Sequence, residues 1–284
     1  MLKRIIIALA FAAAPAAFAE EAPHAPAQNW SFEGPFGTYD RGAVQRGFLV
    51  YSQVCASCHA LDHLSYRNLG EAGGPFTAYR VMNEETGQEE ITLGLHGGHG
   101  GHLVPPTENP YVQAIAAAAM IRDIDRETGE ATERPGRAAD RFRAPYANAA
   151  AAAAANGGAA PPDLSVMALA RRNGADYIHG LLTGYTEAPA GAEIVEGKHY
   201  NRYFPGHWIS MPPPLPQAGL VTYNDGTEAT VDQMASDVAH FLQWAADPHM
   251  ERRNALGVQV LIFLVVLSVL VYLAYRQVWR GVKH

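Results

Sequence analysis

The chain has 284 residues, a formal net charge of −7 and two cysteines. The acidic balance excludes nucleic acid as a partner, because a phosphate backbone calls for a basic surface. Two cysteines are too few for a zinc ribbon, which is held by two cysteine pairs.

The first 19 residues have the pattern of a secretory signal peptide. Lys3 and Arg4 precede an apolar run over residues 5–14, and small residues lead to a predicted cleavage after Ala19. An N-terminal membrane anchor is the alternative, but the apolar run is short for a bilayer. Export would place the following domain in an oxidising compartment.

The first helix of the exported part is predicted between Asp40 and Cys55. Asp40 is a suitable N-cap, and Val44, Phe48, Tyr51 and Cys55 recur at the spacing of one helix face. The end of this helix therefore carries the first cysteine.

Both cysteines belong to the motif Cys55-Ala56-Ser57-Cys58-His59, the attachment sequence of c-type haem. Each thiol can add to a vinyl group of the porphyrin, and His59 is then placed to ligate the iron. Half of a zinc site and a redox dithiol are the alternatives. The zinc site would need a second cysteine pair, and the dithiol would not need the histidine.

Residues 70–145 are predicted to be loop-like, with glycine and proline punctuation and acidic clusters at residues 84–90 and 123–133. In this region three histidines separated by glycine pairs, His96, His99 and His102, could wrap a zinc or copper ion. An exposed loop rich in histidine is the alternative to that metal site.

Further helices are predicted downstream, and no strand-period pattern rises above noise. The helices are expected over residues 149–155, from a cap at Asp163 to about Gly174, from Ala175 to about Leu182, and from a capping box at Thr230 and Gln233 to Pro248. In the last of them Met234, Val238, Phe241 and Ala245 form the apolar face. The exported domain is therefore predicted to be mostly α with long loops.

The second axial ligand of a haem must come from elsewhere, and Met211 is the main candidate. Prolines at positions 212–214 favour a stiff extended segment that presents the thioether at little entropic cost. Met167 and Met234 lie in helical patterns, where methionine usually packs in a core, and His207 is the main alternative. A Met/His pair suits electron transfer, whereas an open iron would suit a peroxidase or a gas sensor.

Residues 255–275 form a run without charge that is long enough to span a bilayer as a helix. A buried core helix is the alternative. With a cleaved signal peptide, residues 20–250 would be exported and the tail, residues 276–284, would remain in the cytoplasm.

Residues 20–251 hold all 28 acidic residues of the chain but only 14 of its basic ones. This acidic surface could steer a basic protein partner, or serve solubility alone.

An ordered set of short segments carries a family resemblance. The segments are residues 32–39, 54–59, 66–67, 145–148, 161–165, 181–185, 203–206, 211–214, 225–227 and 241–246. With the two apolar segments, this order resembles the cytochrome c1 family of bacterial type, the haem subunit of the cytochrome bc1 complex. The resemblance extends over nearly the whole mature chain.

The resemblance implies a single haem c held covalently by Cys55 and Cys58 and ligated by His59 and Met211. It also implies a dimeric quinol-oxidising complex in the bacterial inner membrane, with the haem domain on the periplasmic side. A Rieske iron–sulfur protein would reduce the haem, a soluble or membrane-tethered cytochrome c would take the electron, and cytochrome b would be the other redox subunit.

The chain departs from the family pattern in two respects. Some bacterial members carry an additional cysteine pair that is missing here, and residues of about 84–110 look like an unmatched insertion. A free-standing anchored shuttle cytochrome and a haem peroxidase are the competing functional interpretations.

Overall fold

A computed structural model describes residues 24–94 and 101–281. The predicted signal peptide, His96 and His99 lie outside these residues. Seven α-helices are found in the described residues: α1 Arg41–Gln53, α2 Pro110–Ala117, α3 Ala149–Ala155, α4 Met167–Ala170, α5 Gly174–Thr183, α6 Val231–Ala246 and α7 Met250–Val278. The predicted class, mostly α with one long apolar C-terminal helix, is confirmed.

Helix α1 begins and ends close to its predicted limits. The Asp40 side chain accepts a hydrogen bond from the Ala43 amide at 3.1 Å, as expected of an N-cap. Val44, Phe48 and Tyr51 are buried, so the predicted stripe is the face that packs in the core. The α-helix stops at Gln53, and a 3₁₀ turn over Cys55–Ser57 follows it.

Helix α6 is the buried partner of α1, and its predicted apolar face is also confirmed. The two helices approach so closely that a Cβ atom added to Gly47 would lie 1.9 Å from the carbonyl oxygen of Asp237. Beside this point the rings of Phe48 and Tyr51 pack on Phe241, with centroids 5.7 and 5.5 Å away. Glycine at position 47 is therefore what allows the two backbones to meet.

The predicted capping box of α6 forms only in part. The Thr230 hydroxyl accepts from the Gln233 amide at 3.0 Å, but the Gln233 side chain donates to Asp237 instead of returning to the cap. Asp237 is fully buried and also receives two hydrogen bonds from the guanidinium of Arg46, each 3.0 Å long. Gln233 therefore hydrogen-bonds the buried Asp237 carboxylate instead of completing the capping box.

The prediction of a strandless loop over residues 70–145 is wrong. This region contains helix α2, a three-stranded antiparallel sheet and an antiparallel hairpin. The sheet has the order β2-β1-β3 and consists of β1 Ala78–Met82, β2 Glu89–Leu93 and β3 His102–Leu103; the hairpin joins β4 Met120–Ile124 to β5 Ala131–Pro135. A further pair, β6 His199–Tyr200 and β7 Trp208–Ile209, lies downstream. Strands β2, β4 and β5 are largely exposed on both faces, so burial imposes no alternation on their sequences.

The prediction that Asp163 caps a helix is also wrong. Helix α4 begins only at Met167, and the Asp163 carboxylate accepts from the amides of Ser165 and Asp62, at 2.8 and 2.7 Å. The Asp163 carboxylate therefore links its own segment to the loop at Asp62, about 100 residues earlier in the sequence. Helix α5 follows with nearly its predicted limits.

Helix α7 contains the whole of the predicted membrane segment and extends beyond it on both sides. Its 29 residues correspond to about 44 Å of helix, more than the roughly 30 Å of a hydrocarbon core. By length and composition, the helix is a candidate membrane span. Met250 is its one buried residue, so the alternative of a core helix does not hold.

Candidate functional site around the cysteine turn

The two cysteines and His59 are brought together by a single tight turn at the end of α1. The carbonyl oxygen of Cys55 accepts from the amides of both Cys58 and His59, at 3.1 and 2.9 Å. Both thiols are free and half-buried. The turn therefore presents two thiols and an imidazole within five residues, as the motif predicts.

The imidazole of His59 is oriented by a residue that lies about 100 positions away. Its Nδ1 atom is 2.8 Å from the carbonyl oxygen of Pro162. A carbonyl oxygen can only accept, so Nδ1 carries the proton and Nε2 keeps its lone pair for a metal. Desolvation lowers the pKa of His59, although the Pro162 hydrogen bond and Asp163 oppose this shift. The neutral ring is the form that binds a metal.

The loop after His59 is fastened to the segment that contains Pro162. The Leu164 amide donates to the Ala60 carbonyl at 2.9 Å, and the His63 amide donates to the Ser165 hydroxyl at 3.1 Å. Ser165 is fully buried, so this contact is shielded from water. These bonds, together with that of Asp163, hold the Pro162 carbonyl in place beside the imidazole.

Met211 lies on a separate segment, between β7 and the three prolines. It is half-buried, and its carbonyl oxygen accepts from the hydroxyl of Tyr185 at 3.0 Å. Leu215, just after the prolines, is buried in the core. The backbone around Met211 is therefore restrained on both sides, by Tyr185 and by the anchored Leu215.

The other candidates for an axial ligand are engaged elsewhere. Met234 is fully buried in α6, as the helical pattern predicts, and Met167 packs against the core. His207 stacks on Tyr200 with ring centroids 5.4 Å apart, and its Nδ1 atom is 3.2 Å from the Asn201 carbonyl. These contacts favour Met211 over its competitors, while the ligand assignment itself stays a prediction.

Comparison with known proteins agrees with the resemblance. The model of the cytochrome C1 family matches residues 30–282. A cytochrome b/c1 of Bradyrhizobium diazoefficiens is 42% identical over 273 residues; the alignment covers 89% of this chain but 35% of that longer protein. A cytochrome c1 of Rhodospirillum rubrum is 40% identical, with 90% of this chain and 88% of the relative covered. A mitochondrial cytochrome c1 heme protein of Solanum tuberosum is 42% identical, with 94% and 91% covered.

The chain belongs to the cytochrome c1 family. Members of this family are haem-bearing electron-transfer subunits of the cytochrome bc1 complex, and their cofactor is a c-type haem. The family and the cofactor predicted from the sequence are thereby confirmed.

The residues of the turn fit that cofactor. Burial, with a smaller contribution from the neighbouring Cys58, raises the pKa of the Cys55 thiol to about 12. Two free thiols and an imidazole whose Nε2 keeps its lone pair are the groups that attach and ligate a c-type haem. Among the described residues, no group of three or more His, Cys, Asp or Glu side chains is arranged to hold a metal ion. His102, the one described member of the histidine loop, is exposed on β3.

Three residues that support the site were not assigned this role from the sequence. Tyr51 was predicted only as part of the apolar stripe, but its hydroxyl also donates to the His59 carbonyl at 3.2 Å. Pro162 contributes a backbone carbonyl, which has no side-chain signature. Tyr185 stands in one of the segments that carry the family resemblance, so its position could have been noticed, although its contact with Met211 could not.

Proposed function

We propose that this chain accepts electrons from a Rieske iron–sulfur protein and passes them to a soluble or membrane-tethered cytochrome c. It does so as a subunit of a dimeric quinol–cytochrome c reductase in which cytochrome b is the other redox subunit. Membership of the cytochrome c1 family supports this assignment, as does the similarity to a protein named cytochrome b/c1.

In the proposed site Cys55 and Cys58 would hold one haem c through thioether bonds, and His59 and Met211 would ligate its iron. The bound haem supplies a one-electron couple, and a Met/His pair raises its potential relative to a bis-His pair. The observation that carries the proposal is the 2.8 Å contact between His59 Nδ1 and the Pro162 carbonyl, because it leaves Nε2 directed to ligation. With Met211 bound, the iron would have no free position for oxygen or peroxide.

The proposed location is the bacterial inner membrane, with the haem domain on the periplasmic side. Residues 1–19 would be removed after Ala19, residues 20–250 would form the exported domain, residues 255–275 the anchor and residues 276–284 a cytoplasmic tail. The exposed apolar surface of α7 supports the anchor, because a helix without buried apolar partners needs a lipid or protein environment.

The complex is tested by purifying the chain from its own membranes in a mild detergent. We expect haem b and an iron–sulfur centre to co-purify, and quinol to reduce the haem only while both are present. A chain that purifies alone, and is reduced at the same rate without them, would show a free-standing shuttle instead.

The sixth ligand is tested by Met211→Leu, with Met167→Leu as the matched control. We expect Met211→Leu to keep covalent haem, lose the Met-to-iron charge-transfer band and lower the reduction potential, because thioether ligation favours ferrous iron. The control should leave both properties unchanged. Survival of the band in Met211→Leu would exclude Met211 as the ligand.

A further inference from the structure

A short linker joins the haem domain to α7, and hydrogen bonds connect both ends of this linker to the segment that leads into α1. Only Asp247, Pro248 and His249 separate the end of α6 from the start of α7. Met250 is buried, and it is the single buried residue of α7. Contacts at this junction therefore decide in which direction the long helix leaves the domain.

Glu251, in the first turn of α7, binds the segment that leads into α1. One carboxylate oxygen accepts from the Tyr39 amide at 2.6 Å, and the other accepts from the Arg41 guanidinium at 2.5 Å. Both bonds join residues that lie more than 200 positions apart in the sequence. Charge-assisted hydrogen bonds of this kind are short and about twice as strong as neutral ones.

Tyr39 extends the attachment to the other side of the linker. Its hydroxyl donates to the Asp247 carbonyl at 2.9 Å, while its amide reaches Glu251. The Tyr39 side chain is buried, and burial raises the pKa of its hydroxyl, which therefore remains a donor. The Arg41 guanidinium carbon lies 5.6 Å from the centre of the Tyr39 ring and completes the contact. One buried tyrosine thus holds both ends of the linker.

We propose that Glu251 is a positioning residue, which together with Tyr39 and Arg41 fixes the tilt of the haem domain relative to the membrane helix. The same α1 that is fastened by Tyr39 and Arg41 ends at the cysteine turn, so the attachment reaches the haem through a single rigid helix. The tilt sets the distance and orientation of the haem towards a donor docked at the membrane. This kinetic consequence rests on the proposed function, whereas the tilt does not.

The neighbouring pair Arg253–Asp247 provides a matched control. Its N···O distance is also 2.5 Å, but both residues belong to the linker and α7. Breaking it removes an ion pair from the same place without cutting a bond to the segment before α1. Glu251→Gln, in contrast, removes the charge from the crossing contact at constant size.

The experiment measures the orientation of the haem in membranes that contain the full chain with its complex. Membranes are layered on a flat support, and the haem EPR signal is recorded as the support is rotated in the field. We expect the wild type and Arg253→Gln to give a sharp angular dependence, and Glu251→Gln to give a broadened or shifted one. Haem content, absorbance and reduction potential should be the same in all three, since no residue of the haem site is changed.

The second readout is the rate at which the Rieske centre reduces the haem, which should fall severalfold in Glu251→Gln alone. An unchanged angular dependence in Glu251→Gln overturns the proposal. If that variant does not accumulate, Arg41→Gln removes the charge from the other side of the same contact, and an unchanged orientation there overturns it equally. If the wild type lacks a Rieske partner, the proposed function fails, while the orientation measurement still decides the role of Glu251.

Discussion

The crossing of α1 and α6 and the two hairpins of residues 78–135 both contain large apolar residues and arginine–carboxylate pairs. The crossing buries these residues, whereas the hairpins leave most of them exposed. At the crossing, Gly47 meets the Asp237 carbonyl and aromatic rings fill the space beside it. In the hairpins, large apolar side chains such as Met82 and Ile124 are mostly exposed. The position of the cysteine turn therefore depends on the crossing, whereas most of the hairpin surface faces solvent.

The arginine–carboxylate pairs of the two regions show the same contrast. Arg46 binds Asp237 with two hydrogen bonds, and no part of the Asp237 side chain is exposed. Arg134 binds Asp123 and Asp140 at similar distances, but Asp123 is 43% exposed. A buried charge that loses its partner cannot be rescued by water, whereas an exposed one can. Breaking the Arg46–Asp237 pair should therefore cost much more stability than breaking the Arg134–Asp123 pair, although the distances in the two pairs are similar.

The largest effect is expected from Gly47→Ala. A Cβ atom 1.9 Å from a backbone carbonyl oxygen cannot be accommodated unless α1 moves away from α6. We expect a loss of more than about 3 kcal/mol of stability, at the upper end of what overpacking costs. Loss of the Soret circular dichroism signal on heating, in detergent, measures it. Gly42→Ala in the same helix is the control, because its nearest atoms are side-chain ends at 3.3 and 3.5 Å.

The second-largest loss of stability is expected from Arg46→Met. The substitution leaves the Asp237 carboxylate buried without its guanidinium partner, although the Gln233 amide still donates to it. Removing one partner of a buried pair costs about 3–5 kcal/mol, so the urea midpoint should fall strongly. The double variant Arg46→Met, Asp237→Leu should recover much of the loss. If the single variant is as stable as the wild type, the buried pair does not stabilise the crossing.

These two helices are also where the sequence was most informative. Apolar residues at helical spacing predicted both buried faces, because one-sided burial imposes a period of 3.6 on the sequence. The cysteine turn followed from its motif alone. Strands such as Glu89–Leu93 were missed because both of their faces meet solvent, so nothing enforces alternation. The Pro162 carbonyl beneath His59 could not be predicted, because any residue supplies a carbonyl and only the fold brings it there.

A smaller effect is expected from Arg134→Gln in the hairpin β4–β5. Arg134 bridges Asp123 and Asp140 on the surface, and its guanidinium holds the pKa of Asp140 below the usual range. Because Asp123 is 43% exposed to water and Asp140 keeps the Arg137 amide as a donor at 2.7 Å, we expect only a slight fall in the thermal midpoint, far less than for Arg46→Met. Haem content should be unchanged. An effect as large as that of Arg46→Met would contradict the distinction between core and hairpin.

The smallest effect on stability, with a measurable effect on rate, is expected from charge reversal in the hairpins. The turn that joins β1 to β2 is bordered by Glu84, Glu85, Glu89 and Glu90, and Arg80 pairs with Glu89. In the other hairpin Arg134 and Arg143 pair with two of the acidic side chains of residues 123–133. The first hairpin therefore carries the less compensated negative charge, although sequence alone did not separate the two clusters.

Steering of a basic cytochrome c by this surface would weaken as salt shortens the Debye length to about 8–10 Å. We therefore predict that the second-order rate of electron transfer to such an acceptor falls steeply with ionic strength. Changing Glu84, Glu85 and Glu90 to lysine should lower the low-salt rate roughly threefold and flatten the slope. The matched reversal of Asp125, Glu127 and Glu130 should act more weakly, because arginines already offset the charge around it. Equal slopes for both variants and the wild type would mean that neither hairpin lies near the docking surface, and a wild-type rate indifferent to salt would exclude steering altogether.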